Sequence, residues 1–184
     1  MKALFNTIAI FALLLVAASS VSAQSIFMSV RRNDIPAVTA ALTSSPAAIN
    51  SKDSNGLTPL HIAAVEGYPD MAQFLMDRGA NVNATDNLMM TPLHWCGITN
   101  QTTIAVALLA KGASINALDR SDRTPAHYSA SFGWFDLTDH LVTRGANLNL
   151  VDKDGHTVLG EAVAHGRVDI LRMLRDRGAP LYKN

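Results

Sequence analysis

Seven residues, Thr58-Pro59-Leu60-His61-Ile62-Ala63-Ala64, come back three more times along the chain, each time after 33 residues. They return as Thr91-Pro92-Leu93-His94-Trp95-Cys96-Gly97, as Thr124-Pro125-Ala126-His127-Tyr128-Ser129-Ala130, and degraded as Thr157-Val158-Leu159-Gly160-Glu161-Ala162-Val163. Two other markers keep the period. Gly79-Ala80, Gly112-Ala113, Gly145-Ala146 and Gly178-Ala179 form one, and Asn83, Asn116 and Asn149, each three residues after such an alanine, form the other. Three markers on one period, with no insertion, constrain the chain to a row of like units. A unit this small cannot bury its apolar face alone and must stack on its neighbours.

The local chemistry of the motif predicts short helix pairs. Thr58 is a good N-cap, and Pro59 at the first helical position loses no hydrogen bond. Leu60, Ala63 and Ala64 share one face of a helix that Gly67 terminates. Pro69 opens a second helix, with Met71, Phe74 and Leu75 at core spacing and Gly79 as its left-handed stop. In the third unit Thr102 and Ile104 do the opening. A Thr-Pro-Leu-His-x-Ala core at this period resembles the ankyrin repeat. The resemblance implies an all-α ankyrin-repeat solenoid of about five repeats, over residues 24–52, 53–85, 86–118, 119–151 and 152–184. The first, without Pro-Leu-His, and the last, without Pro and His and with a charged second helix, read as caps with one face in water. Hairpin-like loops are expected at 81–90, 114–123 and 147–156. Repeats of this family usually carry Gly two residues before the Thr, as Gly56 and Gly155 do; Met89 and Asp122 stand there in the middle repeats, which predicts an altered loop around Met89.

The chain of 184 residues is 48% hydrophobic, with 15 basic and 15 acidic residues. That balance gives no broad positive field, so neither nucleic acid nor an anionic membrane is expected as partner. Residues 1–23 read as a secretory signal peptide cleaved before Gln24: Lys2, an apolar run of 11 residues from Ile8 to Ala18, then Val21-Ser22-Ala23. Eleven residues of helix span about half of a ~30 Å hydrocarbon core, which argues against an anchor. The expectation is an exported domain, residues 24–184, in the periplasm or otherwise secreted, with no membrane insertion after cleavage and monomeric when unbound. Cys96 is the sole cysteine and takes a small-residue helix position, so it reads as buried and not reactive.

Little in the sequence points to chemistry. Equivalent positions of stacked helices lie about 8–10 Å apart. His61, His94 and His127 therefore cannot share a zinc ion, whose ligands sit ~2.0–2.1 Å away. The family resemblance gives these histidines a structural, turn-tying role. Asp53, Asp86, Asp119 and Asp152 recur with the repeat, so they belong to its architecture and hold the loop turns through side-chain to backbone bonds. Ser129 and Ser131 lie near His127 without a nucleophile elbow. No metal, cofactor or catalytic residue is expected, and the chain does not read as an enzyme.

What remains is surface. The ankyrin resemblance implies that partner contacts come from loop positions flanking the motif and from the ends of first helices. Here those are Leu57, Val65, Glu66, Leu88, Met90, Ile98, Thr99, Leu118, Arg123, Phe132, His156 and His165. Repeat architecture requires no apolar residue there, yet Leu88, Met89, Met90, Ile98 and Phe132 fall in the middle repeats, and apolar surface is enriched at interfaces. The expected function is stoichiometric binding of one protein through the concave face, as an inhibitor or immunity-type partner, with an accessory or scaffold subunit of an envelope enzyme as the alternative.

Overall fold

The computed structural model describes residues 26–181; the expected leader lies outside them. The described residues form helix pairs in series. After α1 (26–31) come α2 (Ile35–Ser44) and a short 3-10 turn, Pro46–Asn50. Then α3 (Pro59–Glu66) pairs with α4 (Pro69–Asp77), α5 (Pro92–Thr99) with α6 (Thr102–Ala110), and α7 (Pro125–Phe132) with α8 (Phe135–Thr143). The last pair is α9 (Val158–Ala164) with α10 (Val168–Asp176). First helices stack in one layer, α3 on α5 on α7 on α9, and second helices in another, α4 on α6 on α8 on α10. The fold is the expected all-helical repeat solenoid. None of the described helices is long and apolar enough to cross a membrane.

The core follows the same beat. Val38, Met71, Ile104, Leu137 and Ile170 are all buried, as are Leu42, Leu75, Leu108, Leu141 and Leu174, each set one repeat apart. The thiol of Cys96 is buried among them, and loss of water pushes its pKa well up. Polar side chains that lie inside are bonded there; Thr138 Oγ1, for example, donates to Ser129 Oγ at 2.9 Å.

Helices of eight residues, about two turns, are too short to persist alone, and three buried histidines tie them across repeats. The amide N–H of Thr58 donates to His61 Nδ1 at 3.1 Å, and His61 Nε2 lies 3.0 Å from the carbonyl of Met90 in the next loop. A carbonyl only accepts, so Nε2 carries the proton and Nδ1 is the acceptor. His94 repeats this with Thr91 (3.0 Å) and the Arg123 carbonyl (3.0 Å), and His127 with Thr124 (3.1 Å) and the His156 carbonyl (3.2 Å). Asn50, Asn83 and Asn116 add a second tie, each accepting from the backbone N–H 31 residues on at 2.8 Å. In the last repeat Gly160 replaces the histidine. A Cβ there would meet the Leu181 carbonyl at 3.3 Å, and Thr157 Oγ1 donates instead to the Pro180 carbonyl at 2.6 Å.

Burial lowers the pKa of His61, His94 and His127, and no backbone partner raises it enough to compensate. The sign follows. Below about pH 6.5 the unfolded chain takes up protons that the native imidazoles refuse. Stability is thus complete above that pH and falls as pH drops toward the folded values, by up to about 1.4 kcal/mol per pH unit for each histidine. Urea unfolding at pH 7.5 and 5.5 should show a clear loss at the lower pH; a gain contradicts the neutral assignment.

Candidate protein-binding face

The loops between repeats are built identically. Asp86 Oδ1 accepts from the N–H groups of Leu88 (2.8 Å) and Met90 (2.9 Å), and Asp53, Asp119 and Asp152 hold their own loops in the same way. The recurring acids are turn-holders, as their period implied. Adjacent tips are then zipped together: Asn87 N–H to the Asn55 carbonyl, Arg120 N–H to Leu88, and Lys153 N–H to Ser121, each at 3.0 Å. The result is a continuous row of tips beside the stacked first helices.

The expected distortion at Met89 is absent. Gly56 and Gly155 have φ of +79° and +82°, and Met89 and Asp122 reach +62° and +58° in the same turn. Met89 N–H closes it on the Asp86 carbonyl at 3.1 Å, as Gly56 does on Asp53 at 2.9 Å. The turn is fixed by its aspartate, so Met89 absorbs the left-handed strain, about 1–2 kcal/mol for a side-chain-bearing residue. Its side chain then projects outward, half exposed beside an equally exposed Leu88.

The twelve candidate contact residues divide. Leu88, Leu118 and Phe132 are exposed and apolar. Leu57 is half-buried against the core and joins Leu88, Trp95, Asn55, Asn87 and Asp86 around an apolar groove of about 340 Å³. Both oxygens of that aspartate are occupied, the second by Trp95 Nε1 at 3.0 Å, so the groove presents no open charge. Phe132 is not part of the groove; it stacks on Trp134 at the end of α7, ring centres 6.5 Å apart. Val65 is half-buried and Glu66 is exposed, 3.6 Å from Arg31. Ile98 is half-buried, with its carbonyl accepting from Trp134 Nε1 at 3.1 Å.

Three readings need correction. Met90 is 3% exposed: its N–H is held by Asp86 and its carbonyl by His61, which fixes it in the stack with its side chain inward. Thr99 spends its hydroxyl inside the chain, within reach of the Trp95 carbonyl (2.8 Å) and that of Ala64 in the preceding repeat (3.2 Å). Arg123 is three-quarters buried, with Nε 3.0 Å from Asp152 and Nη2 3.0 Å from Glu161. Burial alone would depress its pKa, but Glu161 and then Asp152 outweigh it and hold the proton. Asp152 is also pushed up by burial, yet the His156 N–H and Arg123 bring it below the ordinary carboxylate value. His156 and His165 flank the same buried Glu161, at 3.5 and 3.4 Å, and remain partly exposed.

Ser131, His165 and Glu161 supply the residue types of a nucleophilic triad, but their arrangement is wrong for one. Ser131 Oγ is 3.3 Å from Nδ1 and 3.4 Å from Nε2, so it faces the ring edge between them. Nδ1 meanwhile gives its proton to the Glu161 backbone carbonyl at 3.0 Å. A general base must aim one nitrogen at the hydroxyl.

A row of rigid tips with apolar side chains on a helical stack is binding machinery, and the comparisons agree. Ankyrin repeats (three copies) match residues 26–119 and again 106–184. The chain belongs to the ankyrin-repeat family. A 32-residue stretch is 53% identical to protein phosphatase 1 regulatory subunit 27 of Mus musculus, and to that of Homo sapiens. That stretch is 17% of this chain and 21% of those proteins, so the ankyrin-repeat chain spans about a fifth of the length of these relatives. As an ankyrin-repeat protein it serves protein–protein interaction.

Burial separates the two neighbouring loop residues. Met90→Ala should cost about 2–5 kcal/mol as a core truncation, while Leu88→Ser should stay within about 0.5 kcal/mol of the parent. Thermal melts of both variants decide it: equal losses would return Met90 to the surface or place Leu88 in the core.

Proposed function

We propose that this protein binds one partner protein stoichiometrically through its loop tips and first helices and regulates it, as an inhibitor or immunity-type partner in an exported compartment. The observation that carries the reading is the Leu88-Met89 tip. The turn at that position is served by glycine in two other repeats, and nothing in the fold gains from a methionine there. Local strain kept together with an exposed apolar side chain is a signature of a functional site. The leader-like pattern of residues 1–23 supports export, with a mature chain beginning at Gln24. A second reading, an accessory subunit of an enzyme, draws on the match to a protein named as a phosphatase regulatory subunit.

Met89→Gly tests the proposal because fold and function pull in opposite directions. Relief of the left-handed strain, partly offset by the entropy of glycine, should stabilise the chain by about 0.5–1 kcal/mol. Loss of the side chain should weaken the partner by a hot-spot amount, about 2 kcal/mol or roughly thirtyfold. The measurement is a melt plus titration against the protein captured from the exported fraction. A variant that is more stable and binds as tightly as the parent removes Met89 from the interface.

A further inference from the structure

The residue just before each second helix has a recurring task. Tyr68, Trp134 and Arg167 hold equivalent places, and each donates back to a carbonyl in the first helix of the preceding repeat. Tyr68 Oη reaches that of Arg31 at 3.4 Å, Trp134 Nε1 that of Ile98 at 3.1 Å, and Arg167 Nε that of Ser131 at 2.9 Å. Gln101, the remaining member, bonds within its own turn, to the Thr99 carbonyl at 3.1 Å. One neutral N–H or O–H is enough for this tie, so a charged guanidinium with five donors exceeds what the architecture asks. Arg31, Arg123 and Arg177 are each paired with a carboxylate, but among the described residues none pairs with Arg167. Its outer nitrogens, Nη1 and Nη2, make no hydrogen bond to those residues either. The side chain is nevertheless held in place. Gly133 makes the room for it, since a Cβ there would lie 3.0 Å from Arg167 Cδ and 3.3 Å from Cζ. Pinned at Nε and laid over a glycine, the guanidinium needs little further ordering to meet a ligand.

The surroundings are apolar where the other repeats are not. Phe135, 42% exposed, stands in the place of Pro69 and Thr102, and with Val168 and Arg167 it lines a recess of about 310 Å³. Phe132, 45% exposed, stands in the place of Glu66 and Thr99 and stacks on Trp134. Asp169 also lines the recess, but it sits in the first turn of α10, where the positive end of the helix offsets its charge.

We propose that this turn side of the fourth and fifth repeats is a second contact for the partner protein, and that it takes a segment carrying a carboxylate next to a large apolar side chain. The free edge of Arg167, formed by Nη1 and Nη2, suits bidentate pairing with a carboxylate. The apolar neighbour enters beside Phe135 and Val168, whose exposure the helical stack does not require. A free phosphate would use the arginine and leave both phenylalanines without a role. The inference rests on the protein-binding function and adds the chemistry of the partner.

The probe is a phage-displayed library of random short peptides panned on the full chain, with enriched peptides then titrated by fluorescence polarisation. Enriched sequences should set Asp or Glu beside an aromatic or long aliphatic residue, and added salt should weaken their binding. Arg167→Gln installs the residue type of position 101 and keeps an N–H for the Ser131 carbonyl. It should melt like the parent and bind these peptides about thirtyfold more weakly, the loss expected at an interface hot spot. Phe135→Ser should also weaken them without moving the melt. Peptides free of acidic residues, no enrichment, equal affinity for Arg167→Gln, or displacement by inorganic phosphate alone overturns the site. Peptide binding that is lost in Met89→Gly and kept in Arg167→Gln overturns this site while leaving the loop-tip face standing, so the two failures are told apart.

Discussion

Everything in this molecule leans on a hydrogen bond from a buried neutral imidazole to a backbone carbonyl 29 residues away. His61, His94 and His127 each cap their own first helix and hold the following loop. Without that tie the first helices are two-turn fragments, and loops such as 86–90 are left to their aspartate and to the backbone bonds between neighbouring tips. With it, the loop inherits the rigidity of the core behind it. The bond works only while the ring is uncharged, because Nδ1 must accept from the threonine N–H as Nε2 donates. Burial and this donor-acceptor demand favour the same protonation state.

Rigid repetition has a consequence for function. Positions that recur are consumed by architecture: the aspartates by their turns, the asparagines by the next repeat's backbone, the histidines by the next loop. Binding specificity is left to positions where the repeats differ. The tip is glycine in two repeats, aspartate in one and methionine in one. The fourth position of the first helix is Ile62, Trp95, Tyr128 and Glu161, and its polar members face the loop aspartate in three chemically different ways. Protein binding by this chain is therefore a property of its irregularities, set on a frame that holds them still.

The frame was legible in the sequence because it is periodic. Caps, helix starts, the left-handed stops and the turn aspartates each follow from residues close together in the chain, and the 33-residue beat repeats the signal. The face was legible only in part. Leu88 and Phe132 were found as apolar residues without an architectural task. Met90 was misplaced because its burial depends on the Asp86 and His61 bonds acting together, one local and one 29 residues back. Arg123 looked like free surface since its partners lie in the adjacent repeat, 29–38 residues on, and Thr99 since its hydroxyl turns back to its own helix at Trp95 and to Ala64, 35 residues back. The loop at Met89 was expected to change, but the aspartate specifies the turn more strongly than the residue at its tip resists it.

The imidazole tautomers test the coupling most directly. Nitrogen-15 NMR of selectively labelled protein at pH 7 distinguishes an Nε2–H imidazole from its Nδ1–H form and from imidazolium, residue by residue. His61, His94 and His127 should all be Nε2–H and neutral, with slow exchange of that proton. An Nδ1–H tautomer or an imidazolium at these positions would mean that the carbonyls of Met90, Arg123 and His156 are not held as described, and the rigid loop row would lose its cause.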